Sequence, residues 1–156
     1  MSWLKKSIIG FGLLLLSIVA LISCSMGKGE IHLIPNHYEG AVLIVFNVPD
    51  GTPEKYEDGK RVYEIPENGI LKTQFTFSSD WIVSSNLEYY YDLGNGKRQR
   101  ISYPDRPESL PPKQIQVFSK SASDNPLSPE NPEIVYVVGK YENAESLVKQ
   151  KYEKTP

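Results

Sequence analysis

Residues 87–103 read LEYYYDLGNGKRQRISY, and this stretch decides the fold class. Two runs rich in tyrosine and other β-prone residues flank Gly94-Asn95-Gly96. Asn-Gly is the strongest short-range hairpin signal, because the tight turn that matches strand twist needs positive φ at both central residues. Period-two alternation sends Leu87, Tyr89 and Tyr91 to one face and Glu88, Tyr90 and Asp92 to the other. The expected unit is a β-hairpin with Tyr89 and Tyr91 in the core and Tyr90 outside.

Working outward, the same pattern recurs. Glu30 to Ile34 is a short strand stopped by Pro35, and Ala41 to Val48 is apolar on both faces apart from Asn47, as expected beneath a covering element. Pro49-Asp50-Gly51, Asp58-Gly59 and Pro66-Glu67-Asn68-Gly69 are turns. Between them lie strands at Arg61 to Ile65 and Ile70 to Phe77. Further strands are expected near Gln114 to Ser119 and Ile134 to Gly139. Seven of the twelve prolines fall between Pro104 and Pro132, which marks the stretches around these strands as surface loops. The C-terminus alone looks helical, with Asn143 as a cap, Glu145 in the first turn, and Ala144, Leu147, Val148 and Tyr152 as a narrow apolar stripe. About eight short strands and one terminal helix indicate a mainly β fold: an antiparallel β-sandwich, immunoglobulin-like or transthyretin-like, with an open barrel as the alternative. A parallel sheet is not expected, because nothing between the strands could form crossover helices.

The N-terminus differs in kind. Lys5 and Lys6 precede an apolar run from Ile8 to Ile22, and Leu21-Ile22-Ser23-Cys24 supplies a cleavage site with a small residue before the cysteine. The run is short for a spanning helix, which needs about 20 apolar residues. An uncleaved signal anchor is the alternative reading. Residues 1–23 are therefore read as a lipoprotein signal peptide, 24–29 as a lipidated cysteine and polar tether, and 30–156 as one domain. Cys24 is the chain's single cysteine, so an internal disulfide is impossible, and covalent lipid is the simplest use for a lone exported thiol. No other cofactor is implied. Cleavage leaves 133 residues carrying 15 basic and 19 acidic side chains. That mild acidity argues against nucleic acid as a partner and against electrostatic adhesion to anionic lipid.

The stretch from Leu33 to Gly40 (LIPNHYEG) resembles the opening of an uncharacterised bacterial domain family found in exported proteins and lipoproteins, and Glu57 to Leu71 (EDGKRVYEIPENGIL) resembles that family's middle. Val137-Val138-Gly139 is similar to its end, so the resemblance spans roughly residues 30 to 142. It implies a β domain in the bacterial cell envelope and carries over no catalytic residue. On their own chemistry, Tyr38 before Gly40 suits a turn that lays a ring over a sheet edge, and Gly59 and Gly69 suit positive φ.

Candidate chemistry is sparse. His32 and His37, with Glu30 or Glu39, could approach a metal only around a sharp bend, and Asp50, Glu57 and Asp58 fit no EF-hand spacing. No Gly-x-Ser-x-Gly elbow occurs, so catalysis is not expected. The aromatic content is more suggestive. Trp81, Tyr90 and Tyr103, with Arg98 and Arg100 on the hairpin's second strand, form a candidate ligand face for a protein or glycan partner, since tyrosine offers a flat apolar ring with a polar tip. The expected function is that of a membrane-anchored, non-enzymatic interaction or structural module of the cell envelope, with a carbohydrate- or small-ligand-binding domain as the alternative.

Overall fold

A computed structural model describes residues 29–77, 86–123 and 132–154. Residues 1–28, which include the segment read as a signal peptide and Cys24, lie outside them, as does Trp81. Nine strands are described: β1 Glu30–Pro35, β2 Gly40–Val45, β3 Tyr56–Glu57, β4 Lys60–Glu64, β5 Ile70–Lys72, β6 Leu87–Asp92, β7 Arg98–Ile101, β8 Ile115–Ser123 and β9 Glu133–Lys140. Helix α1, Ala144–Lys154, follows a 3-10 turn at Tyr141–Asn143. The strands form a five-stranded sheet ordered β3-β4-β1-β6-β7 and a four-stranded sheet ordered β5-β2-β9-β8.

The protein is thus mainly β and sandwich-like with a short C-terminal helix. The pairing, however, is mixed. β1 runs parallel to both β4 and β6, and β2 runs parallel to β5. A parallel pair needs a crossover, and here strands of the opposite sheet supply it in place of helices. The chain leaves β1 for β2 in the second sheet before returning to β4, and visits β5 there before returning to β6. The strand expected over Ile70 to Phe77 is regular only to Lys72, after which Thr73 bridges Thr52.

Turn chemistry follows the residue types. Asp58 and Gly59 take φ of 50° and 78°, and Asn95 and Gly96 take 51° and 73°, so each pair supplies the two positive values a tight hairpin requires. The sandwich interior packs Ile34, Val42, Ile44, Phe46, Phe75, Val117, Ile134 and Val138 around a tyrosine-rich centre. Helix α1 covers the outer face of the second sheet, where Leu147 packs on Phe118 and Val137. The edges of the two sheets meet through the Ser102–Gln116 bridge, where Val117 N–H donates to Ser102 O at 2.8 Å. No helix among the described residues is long and apolar enough to cross a membrane.

Candidate functional site

The site has a buried polar network and a cleft beside it. The network grows from strand alternation: β1 turns Glu30, His32 and Ile34 inward. Register places Tyr63 of β4 and Tyr89 of β6 directly beside His32, so three adjacent strands present a Tyr–His–Tyr row on one face. Tyr89 stacks on the imidazole at 4.6 Å between ring centroids, and Tyr63 lies tilted at 5.0 Å. Tyr136 descends from the facing sheet, its hydroxyl 3.1 Å from His32 Nδ1. On the other side Nε2 lies 3.5 Å from Glu30 Oε2, and Tyr63 Oη donates to Glu30 Oε1 at 3.1 Å. The carboxylate favours a proton on Nε2, so Nδ1 is assigned as the acceptor from Tyr136 Oη.

Lys120 joins through a β-bulge. Phe118 pairs with Val137 and Ser121 with Val135, leaving Ser119 and Lys120 opposite Tyr136. Ser119 takes a φ of 52°, and the bulge re-aims the strand so that the Lys120 ammonium is buried and acts on both Glu30 and His32. Burial pushes Lys120 down to about 8, with Glu30 opposing. Burial also pushes His32 below its ordinary value, against the pull of Glu30. Burial alone would raise Glu30, yet His32, Lys120 and Tyr63 together hold it below the usual carboxylate range. Burial holds Tyr89 and Tyr136 protonated far into the alkaline range.

These shifts fix the sign of a pH dependence. His32 and Glu30 bind protons less readily in the folded chain, so their stabilisation is full above their unfolded values of 6.5 and 4.5 and is lost as pH falls through the folded ones. Lys120 follows the same rule. Its contribution is present above 10.5 and lost as pH falls through about 8. Urea denaturation is therefore expected to show stability falling below pH 6.5 and rising from about 8 towards 10, with Lys120→Met flattening the alkaline segment.

Beside this network a cleft of about 560 Å³ opens at the end of β7, bounded by Leu87, Tyr89, Arg100 to Asp105 and Leu110. That volume lies within the range of small-ligand sites, about 300–1,000 Å³. Tyr103 stands at its side, 43 % exposed, with its ring edge-on to Tyr89 at 5.3 Å. Tyr89 is 1 % exposed, and its hydroxyl finds no hydrogen-bond partner among the described residues. An unpaired buried hydroxyl costs about 1–3 kcal/mol unless something meets it.

The hairpin residues divide between two places. Tyr89 and Tyr91 are buried, as the alternation predicts, and Tyr103 and Arg100 border the cleft. Tyr90 is half-buried on the outer face, packed on Ile31, Leu33 and Val62 and donating to Glu88 Oε2 at 2.7 Å. Arg98 makes a two-pronged pair with Glu57 at 2.7 and 2.8 Å. Tyr103 is therefore the aromatic side chain of the expected face that the described structure leaves open at a concave surface.

The metal candidates also separate. His32 is fully buried, whereas His37 sits exposed in the turn after β1 with a φ of 61°. Glu57 is committed to Arg98, and Asp58 to the β3–β4 turn. Among the described residues no three of His, Cys, Asp or Glu converge as a metal site. Sequence reading placed Glu30 and His32 on a strand without identifying their face as the core one. It gave no sign of Lys120, because a bulge inside Phe118-Ser-Lys-Ser121 looks like an ordinary polar strand end.

The model of the Family of unknown function (DUF6843) matches residues 27–152. No curated protein matches the chain. A crystal structure described as "Putative Lipoprotein from Bacillus anthracis" is 21% identical, covers 72% of this chain and 70% of that one, and superposes with a TM-score of 0.47.

Proposed function

The chain belongs to the Family of unknown function (DUF6843), and from its own residues we propose that it is a lipid-anchored, non-enzymatic binding module of the bacterial cell envelope that holds a small polar ligand in the cleft beside Tyr103. The observation that carries the binding reading is the exposed Tyr103 ring at that cleft. Tyr103 offers a flat ring for the apolar face of a ligand to stack on and a phenol tip for its polar groups. A non-enzymatic role is supported by where the acid–base groups lie. His32 is fully buried beneath Tyr89, the Lys120 ammonium is buried with Glu30, and burial keeps the Tyr89 phenol protonated.

The anchor reading rests on Leu21-Ile22-Ser23-Cys24 and on the absence of any other cysteine in the chain. Each buried acyl methylene contributes about 0.8 kcal/mol, so two or more chains on Cys24 hold a domain at a membrane without a spanning helix. Cys24→Ala is expected to abolish fatty-acid labelling and to release the mature chain from membranes. Continued labelling of the variant would overturn the anchor. The binding reading is tested by melting residues 25–156 against a glycan panel, since a ligand of the native state raises stability by mass action. A rise in Tm for at least one saccharide, lost in Tyr103→Ala, is the expected result, and an unchanged Tm across the panel removes the reading.

A further inference from the structure

We propose that the Tyr103 cleft faces the bilayer and takes the saccharide headgroup of a membrane glycolipid. This rests on the anchored binding module argued above and adds where its ligand comes from.

Three observations carry it. The first is the end of the sandwich at which the cleft lies. Glu30, the first residue of β1, pairs with Leu87, the first residue of β6, and Tyr89 pairs with Ile101 at the close of β7. The cleft-bordering stretch Ile101 to Asp105 therefore leaves the sheet at the end where the chain enters β1. That entry is fixed, because Glu30 N–H donates to Asn86 O and Arg61 N–H donates to Gly29 O. The hairpin tip at Asn95 lies beyond the far end of β6, six residues of strand or about 20 Å away.

The second is reach. Cys24 and Gly29 are five residue steps apart, and even fully extended these span at most about 18 Å. A lipid on Cys24 therefore keeps this end of the domain within about 18 Å of the membrane surface, a limit that the hairpin tip does not share. The third is the chemistry of the lining. Arg100 and Asp105 offset one another in charge, and the other bordering residues with side-chain hydroxyls open to the surface are Ser102 and Tyr103. A phosphate would want an excess of cations. A neutral polyol with an apolar ring face suits balanced charge, hydroxyls and an exposed tyrosine.

The test uses the full lipidated protein in phosphatidylglycerol vesicles. The lipid thioether blocks the Cys24 thiol, so Asp105→Cys and Asn95→Cys each present a single site for a nitroxide. Relaxation by lipid-chelated nickel is expected to be strong at 105 and weak at 95, and the reverse order overturns the orientation. Binding of the unlipidated residues 25–156 to vesicles containing glucosyl and galactosyl diacylglycerols is then compared with binding to phosphatidylglycerol vesicles and to the free glycosides. Glycolipid binding weakened about tenfold or more by Tyr103→Ala is the expected outcome. Free glycosides that bind while glycolipids do not would overturn the membrane-facing inference and leave the cleft reading standing. No binding in either arm would remove both. Equal binding to phosphatidylglycerol alone, or glycolipid binding indifferent to Tyr103→Ala, would overturn the ligand class or the site.

Discussion

Glu30→Leu is expected to cost the domain about 3–5 kcal/mol, the range for breaking a buried charge pair by removing one partner. The Glu30 carboxylate is the negative group facing His32 Nε2 and Tyr63 Oη, and it acts on the buried Lys120 ammonium. Removing it strips the hydroxyl of its acceptor and leaves the lysine charge without that carboxylate. Lys120 then has a further reason to lose its proton, so the penalty should shrink as pH rises above about 8. The double variant Glu30→Leu with Lys120→Met should recover a large share of the loss, because replacing both charges by apolar groups is often close to neutral. Urea denaturation of wild type, both single variants and the double variant measures the coupling. Additive single effects would show that Glu30 and Lys120 do not act as a pair.

Gly69→Ala is the second large effect, at about 3 kcal/mol or more. Gly69 has a φ of 74°, a region that costs an L residue roughly 1–2 kcal/mol. An added Cβ would also collide with the Tyr38 hydroxyl and come within 2.7 Å of Ala41 O. Tyr38 cannot easily yield. Its hydroxyl donates to Ala41 O at 2.6 Å, and its own carbonyl accepts from Tyr91 Oη at 2.9 Å. The motif residues Tyr38 and Gly69, distant in sequence, thus form one lock between the start of β2 and the turn before β5. Gly59→Ala carries a similar φ penalty but meets nothing within 4 Å, so it should cost clearly less. Equal losses for the two variants would contradict the lock.

Asn95-Gly96 and Asp58-Gly59 are legible because positive φ is a property of the turn residues themselves. Alternation correctly sends Tyr89 and Tyr91 inward, since period two is set by backbone geometry alone. Parallel pairing of β1 with β4 and β6 is not legible, because a crossover made by a strand of the opposite sheet leaves no helical signature. For the site, Tyr103 and Arg100 were visible as hairpin aromatics and cations. The network behind them was not. Its members come from β1, β4, β6, β8 and β9, and a meeting of Glu30, His32, Tyr63, Lys120, Tyr89 and Tyr136 is fixed by register and by one bulge.

The central claim is that the ligand sits against Tyr89 and Tyr103 and away from the outer hairpin face of Tyr90 and Arg98. It is tested most directly by NMR of residues 25–156 carrying ¹³C-labelled tyrosine rings, titrated with the glycan panel. The expected result is that ring signals of Tyr89 and Tyr103 shift in a saturable way with at least one saccharide while Tyr90 stays in place. Saturable shifts at Tyr90 with Tyr89 and Tyr103 unmoved, or no shift at Tyr89 and Tyr103 with any saccharide, would contradict it.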